Sequence, residues 1–168
     1  FIAAGVKPII GCEVYVARRG MTDRVHGQDN DPYHLVLLCK NRQGYENLCY
    51  MVSEAFLHGF YGKPRIDLEL LRQRHEGLIA LSACLAGAIP QALMNESYAS
   101  AKAYALQMAD IMGEGNFYLE LQNHGIPEQL AVNQGIGRLA RETELPLVVT
   151  NDAHYLRLSE KFFVGIAL

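Results

Sequence analysis

Short apolar runs alternate along the chain with longer segments in which apolar residues recur at helical spacing. The short runs are rich in β-branched and aromatic residues and are bounded by turn-forming residues, as strands are. They predict strands at 8–16, 34–40, 77–83, 116–122 and 145–150. Strands that alternate with helices through short loops favour an α/β fold with a mostly parallel sheet or a barrel.

Helical spacing and capping residues predict the elements between these strands. The segment 63–67 contains a proline and is expected to form a turn. We predict helices over 44–60, over 68–73 with Asp67 as its cap, from Asn95 or Ser97 to Gly113, from Pro127 to about Thr143, and from Ser159 onward. No linker or repeat divides the chain, so residues 1–168 are expected to form one domain. Residues 1–8 resemble a helix tail running into a strand, so we expect the chain to begin in the middle of this domain, which would be incomplete.

Composition limits the partners and the compartment of the protein. Half of the 168 residues are apolar, the net charge is −3, and acidic and basic residues are interspersed. A protein that mainly binds phosphate backbones usually carries a basic stripe. This sequence shows none, so any contact with nucleic acid must be local or supplied by parts outside this chain. The sequence shows no secretory signal and no apolar run near the roughly 18 residues that cross a bilayer. Its four cysteines form no CxxC pair, which favours reduced thiols and a cytoplasmic protein without membrane contact.

The segment 147-LVVTNDAHYL-156 places two potential metal ligands directly after a predicted strand. Positions i and i+2 of an extended chain project to the same side, so Asp152 and His154 can converge on one point. A carboxylate and an imidazole are a common ligand pair for zinc, manganese or iron. The alternative is an Asx turn at Asn151 and Asp152, with His154 merely packing.

Three further side chains could join this site, one from inside a predicted strand and two from strand ends, where α/β folds place their chemistry. Glu13 interrupts an apolar strand, and a carboxylate buried there would need a cation or an Arg partner, unless it faces solvent. His34 begins a strand and is either a ligand or a hydrogen-bonded structural residue. Cys84 follows a strand, where a thiolate could bind metal or an inert thiol could pack in the core.

Other polar residues suggest less specific roles. Glu120, Gln122 and His124 form a second period-2 polar set at a strand end and could line the same mouth, either supporting the ligands or contacting a substrate. Arg65 could meet a phosphate or form an ordinary ion pair. The sequence has no GxSxG nucleophile elbow, P-loop or Rossmann glycine fingerprint. The residues by themselves therefore predict an α/β domain with a candidate metal site at Glu13, His34, Cys84, Asp152 and His154.

Six runs carry a family resemblance over nearly the whole chain: 5-GVKPIIGCEVYVA-17, 34-HLVLLCKNRQGYENL-48, 59-GFYGKPRID-67, 76-EGLIALSACLAG-87, 117-FYLELQNHGIPEQ-129 and 146-PLVVTNDAHYL-156. In this order they resemble the polymerase-and-histidinol-phosphatase (PHP) domain of the bacterial DNA polymerase III alpha subunit. The LELQNHG and SACLAG runs are closer to the DnaE-type than to the PolC-type subunit. The tail 159-SEKFFVGIAL-168 departs from the family pattern.

The resemblance implies part of a distorted seven-stranded β/α barrel (the PHP fold) with its first strands missing. The complete barrel holds up to three divalent ions, zinc or manganese and also magnesium. It assigns Glu13, His34, Cys84, Asp152 and His154 as metal ligands. Glu13, Asp152 and His154 would be the catalytic residues among them. The remaining family ligands belong to segments expected upstream of Phe1, so this chain alone is expected to be inactive.

The resemblance also implies three functional hypotheses. The first is a metal-dependent phosphoesterase site that trims 3′ nucleotides inside a polymerase that synthesises DNA. The second is a scaffold that stabilises the polymerase and docks the proofreading exonuclease subunit and other replisome components. The third is a free-standing phosphatase for small phosphate esters, against which stand the LELQNHG and KPRID runs and Cys84, where such enzymes usually have His. In the first two, DNA is bound through the parent polymerase, whose own active site lies outside this chain.

Overall fold

A single sheet organises the chain. The structure, a computed structural model, describes residues 1–154. Its strands are β1 (Gly11–Val16), β2 (Tyr33–Cys39), β3 (Phe60–Tyr61), β4 (Lys63–Ile66), β5 (Leu78–Leu81), β6 (Phe117–Leu121) and β7 (Leu147–Val149). They form one seven-stranded sheet in the order β3-β4-β1-β2-β5-β6-β7. This confirms the predicted α/β class, whereas the helix predicted from Ser159 lies outside the described residues.

Five helices connect these strands: α1 (Arg42–Leu57), α2 (Leu68–Arg74), α3 (Ala88–Asn95), α4 (Tyr98–Met112) and α5 (Pro127–Thr143). Asn41, Asp67 and Ser97 accept backbone N–H groups at the starts of α1, α2 and α4, as capping residues do. Helix α3 was not predicted, because it spans only eight residues and contains Pro90, and Pro usually marks turns. No helix among residues 1–154 is long and apolar enough to cross a bilayer.

Strand β2 runs against its neighbours. It is antiparallel to both β1 and β5, whereas β1 is parallel to β4, and β5, β6 and β7 are parallel to one another. The parallel strands therefore end at one edge of the sheet, and β2 begins there. We call this edge the rim. As a consequence, Tyr33 and His34 at the start of β2 lie opposite Val16 and Tyr15 at the end of β1.

The two faces of the sheet differ in what covers them. Helix α1 packs on β2 and β4, α4 on β5 and β6, and α5 on β6. The face beneath these helices carries side chains that are at most 5% exposed: Val14, Val16, Leu35, Leu37 and Phe117. Burial of each such side chain contributes roughly 1.5–3 kcal/mol. Because side chains alternate along a strand, Glu13, Tyr15 and His34 project from the opposite, less covered face.

Residues 63–66 form strand β4, so the turn predicted for 63–67 is wrong. Arg65 and Ile66 pair with Tyr15 and Val16 of β1, while Asp67 caps α2 as predicted. Pro64 favours a turn in the sequence, because Pro usually marks turns and is tolerated only at special strand positions. Pairing with a distant strand, which local sequence does not reveal, decides the conformation here.

The fully buried side chain of Arg65 holds the long connection between β1 and β2. Its Nη2 donates to the carbonyl oxygens of Met21 (2.9 Å) and Asp23 (2.8 Å), and its Nη1 to that of Asp29 (3.0 Å). Its Nε donates to Gly59 O at 3.0 Å. The guanidinium thus binds backbone carbonyls. Within residues 1–154 it does not form the ion pair that was one of the two roles suggested by the sequence.

Replacing Arg65 with Met should lower the free energy of unfolding by at least about 3 kcal/mol, since each buried group left without a partner costs roughly 1–3 kcal/mol. Arg65→Lys should recover little of this, because an ammonium group lacks the rigid fork of donors. Urea denaturation measures both. Arg42→Met is the control, because Arg42 is 91% exposed and bonds only to Glu46 one turn away. Equal stabilities of Arg65→Met and Arg42→Met would contradict the role of Arg65.

Candidate metal centre at the rim

Glu13 and His34 contact each other on the less covered face of the sheet. Tyr15 lies opposite His34 in the pair of β1 and β2, so Glu13, two residues before Tyr15, projects to the same side. Glu13 Oε1 is 2.5 Å from His34 Nδ1. The rings of Tyr15 and His34 meet edge to face, with centroids 5.1 Å apart. The sequence did not predict this pairing because it depends on the direction and register of β2.

A sharp turn after β5 brings Cys84 to the same place. Ala83 has a φ of 62°, in a region that residues other than Gly rarely occupy. The turn brings Cys84 Sγ to 3.7 Å from His34 Nδ1. The backbone N–H of His34 donates to the backbone oxygen of Ala86 at 3.1 Å. This bond holds the turn against the start of β2. Three of the five predicted ligands therefore form one contact group, the Glu13–His34–Cys84 group.

These contacts change the proton affinities of the group. The hydrogen bond to Cys84, followed by that to Glu13, raises the pKa of His34 to about 10. The hydrogen bond to His34 lowers the pKa of Glu13, and the charges of His34, His154 and Lys63 lower it further, although burial opposes them. A carboxylate and an imidazolium therefore stabilise each other here. A metal ion that binds His34 would have to displace its proton.

Asp152 and His154 lie just beyond β7, at the same rim. His154 Nδ1 is 2.8 Å from the backbone oxygen of Asp152 and 3.8 Å from its carboxylate Oδ1. The φ of Asp152 is 44°, so a turn rather than an extended strand brings the two side chains together. His154 is near enough to Glu13 for its charge to lower the pKa of that carboxylate. All five predicted ligands thus lie at the rim, in two adjacent clusters.

The buried residue Glu120 connects the ends of three strands. Its backbone N–H donates to Ser82 Oγ at 2.8 Å, next to the turn that carries Cys84. Its Oε1 accepts hydrogen bonds from Thr150 Oγ1 and, at 3.1 Å, from Gln122 Nε2. Its Oε2 is buried without a partner among the described residues. Glu120 therefore couples the turn after β5 to the segment that follows β7.

His124 makes a second connection to the segment that leads to Asp152. Its Nε2 is 2.7 Å from Asn151 O, while its Nδ1 is 2.9 Å from the side-chain amide of Gln129 in α5. The polar set at 120, 122 and 124 was expected to line the mouth of the site, either supporting the ligands or contacting a substrate. In the structure, these residues bond to Ser82, Thr150 and Asn151, close to predicted ligands, which corresponds to the supporting alternative.

The donor atoms at the rim match divalent ions in their chemistry. Carboxylates, imidazoles and a thiolate together suit zinc or manganese. Among residues 1–154, however, no three His, Cys, Asp or Glu side chains surround one point closely enough to share an ion. In the Glu13–His34–Cys84 group the donors bond to one another instead. Ligand and catalytic roles for the five residues remain predictions.

Replacing Gly87 with Ala should disturb the turn that carries Cys84. A β-carbon at position 87 would lie 2.2 Å from Ser82 O, whereas at Gly137 in α5 the nearest group would be Arg141 Nη1 at 3.7 Å. We expect Gly87→Ala to lower the free energy of unfolding by roughly 1–3 kcal/mol. The control Gly137→Ala should be neutral or stabilise by up to about 1 kcal/mol. Chemical denaturation measures both free energies of unfolding. Equal values for Gly87→Ala and Gly137→Ala would show that the turn has room for a β-carbon at position 87.

Comparison with known proteins gives the family. The sequence profile of the PHP domain matches residues 1–124. DNA polymerase III subunit alpha of Thermus aquaticus is 48% identical over 157 residues, which are 92% of this chain and 13% of that protein. The Treponema pallidum protein of the same name is 45% identical over 167 residues, which are 99% of this chain and 14% of that protein. The chain thus spans only 13–14% of the length of these relatives. It belongs to the PHP domain family.

Proposed function

We propose that this domain holds a divalent-metal centre within a protein like the DNA polymerase III alpha subunit, and that the centre hydrolyses phosphate esters at the 3′ end of DNA. The Glu13–His34–Cys84 group at the rim carries the proposal, because it gathers a carboxylate, an imidazole and a thiol from three separate strands or turns. The similarity to DNA polymerase III subunit alpha supplies the setting. DNA synthesis itself would belong to other parts of the longer protein.

Each side chain has a role that follows from its chemistry. Glu13 and Asp152 would provide oxygens that can bridge ions, and His34 and His154 would complete the coordination of single ions. Cys84 is a soft ligand that favours zinc or manganese over magnesium. When bound, up to three such ions would activate water and neutralise the charge of the phosphate ester.

The supporting residues would fix the spacing of these ligands. Glu120 links the turn before Cys84 to Thr150, and His124 holds Asn151. Mutation of a residue that supports a metal ligand in this way usually lowers metal affinity or activity by about 10- to 100-fold. We expect residues 1–168 alone to hydrolyse no phosphate ester, because the donors at the rim bond to one another and further ligands are needed to hold the ions apart.

Asp152→Asn in the full-length protein should reduce metal-dependent trimming of a labelled DNA 3′ end by more than about 100-fold, since loss of a ligand exceeds the loss of a supporting residue. Nucleotide addition, measured in the same preparation, should be unchanged. Asp110→Asn is the matched control, because Asp110 is exposed on α4 and bonds to Arg72. If Asp152→Asn trimmed the 3′ end as fast as the wild type, the proposed phosphoesterase function would be contradicted.

A scaffold role is the second candidate, favoured by two observations. Glu13 and His34 satisfy each other as a charged pair without an ion, and large apolar side chains remain exposed: Ile9, Ile10, Phe56, Phe60 and Val149. Such surfaces are typical of contacts with other chains or domains. In this role the domain would brace the polymerase and dock its proofreading exonuclease subunit and other replisome components.

The two roles differ in their response to Asp152→Asn. A scaffold would show a lower melting temperature and weaker retention of the exonuclease subunit, with no change in 3′ trimming. A phosphoesterase would lose trimming while it keeps the subunit. Differential scanning calorimetry, analytical size exclusion with the exonuclease subunit and the trimming assay separate these outcomes.

A further inference from the structure

Lys63 and Tyr15 form a positively charged pair next to the Glu13–His34–Cys84 group. The Lys63 ammonium donates to Tyr15 Oη at 3.0 Å and lies 4.3 Å from the centre of the Tyr15 ring. The same ring packs against His34. Only one aromatic ring therefore separates Lys63 from a predicted metal ligand.

The strand pairing fixes the side of the sheet from which Lys63 projects. Arg65 lies opposite Tyr15 in the parallel pair of β4 and β1. Lys63 is two residues before Arg65, so it projects to the same side as Tyr15 and Glu13. The sequence did not predict this position, because it favours a turn at 63–67, and residues i and i+2 of a turn need not project to the same side.

Lys63 has hydrogen-bonding capacity to spare. A lysine ammonium has three N–H donors, and one of them binds the neutral hydroxyl of Tyr15. In the described part of the chain, Lys63 takes part in no salt bridge. By contrast, Lys102 pairs with Glu142 at 2.8 Å. The exposed charge of Lys63 is thus available to an anion at the rim.

We propose that Lys63, oriented by Tyr15, binds a non-bridging oxygen of the phosphate group on which the centre acts. A lysine ammonium is a compact point charge suited to phosphate oxygens. The carboxylates of Glu13 and Asp152 at the rim would repel such an anion, and Lys63 offsets that repulsion on the β4 side. The nature of the substrate, a phosphate ester at a DNA end, rests on the proposed function, whereas the phosphate-binding chemistry of Lys63 does not.

The test compares Lys63→Met with Lys40→Met in the full-length protein, loaded with manganese. Lys40 is a matched control, because it is exposed and its Nζ likewise donates to a neutral oxygen, Asn116 Oδ1 at 2.7 Å. It follows the last residue of β2, at the edge opposite the rim. The probes are p-nitrophenyl phosphate, a single-stranded oligodeoxynucleotide and, as a competitive inhibitor, inorganic phosphate. Metal content is measured for every variant.

Lys63→Met should raise KM for both substrates and the inhibition constant of phosphate by at least about 10-fold, with kcat changed by less than about 3-fold, as expected when an interaction common to the ground and transition states is removed. Tyr15→Phe, which deletes only the hydroxyl that orients the ammonium, should raise the same constants by a smaller factor. Metal content should equal that of the wild type in both variants, and Lys40→Met should behave as the wild type.

Unchanged KM and inhibition constants in Lys63→Met would overturn the proposal. A rise in KM for the oligonucleotide alone would also overturn it, since Lys63 would then contact the strand away from the reacting phosphate. Loss of metal would show a structural role instead. If the wild type hydrolyses neither substrate, the proposed function fails. Calorimetric titration of the metal-loaded protein with inorganic phosphate then decides separately whether Lys63→Met loses the phosphate site.

Discussion

The arrangement of the sheet depends on the hydrogen bonds between the buried guanidinium of Arg65 and backbone carbonyl oxygens. The guanidinium binds three carbonyl oxygens of the connection 17–32 and one just before β3. A long connection with free backbone groups would otherwise be costly to order. Because the connection is held against the sheet, the chain can return as β2, antiparallel to β1. This reversal places His34 at the rim.

The reversed strand explains how ligands from distant parts of the chain meet. Cys84 and Asp152 lie just after the carboxyl ends of parallel strands, whereas His34 is the second residue of the antiparallel strand β2. Glu13 joins them by strand alternation. Charged groups on a half-buried sheet face are costly unless they are paired or bound to a cation. The contact between Glu13 and His34 provides the pairing in this structure, and divalent ions would provide it in the proposed phosphoesterase.

Local sequence was sufficient to predict most of the elements. Strands β1, β2, β5, β6 and β7 and helices α1, α2, α4 and α5 were predicted to within a few residues of their observed bounds, because capping and apolar spacing are local properties. Strand β3 was not predicted, since Phe60 fell within the helix expected over 44–60. Helix α3 and strand β4 were not predicted, because α3 is short and contains a proline and β4 depends on pairing with β1. The candidate ligands were proposed from residue type, from a position at a strand end or, for Glu13, from a polar residue inside an apolar strand.

The sequence by itself determined the α/β class, the family resemblance and the kinds of donor atom available to a metal site. Only the tertiary structure decided which of these donors touch. The direction and register of β2 set the contact between Glu13 and His34, and the left-handed turn at Ala83 brings Cys84 to them. The pairing of β4 places Lys63 beside Tyr15. The physical reason is that such contacts join segments far apart along the chain, and their geometry follows from strand pairing and not from local residue preference.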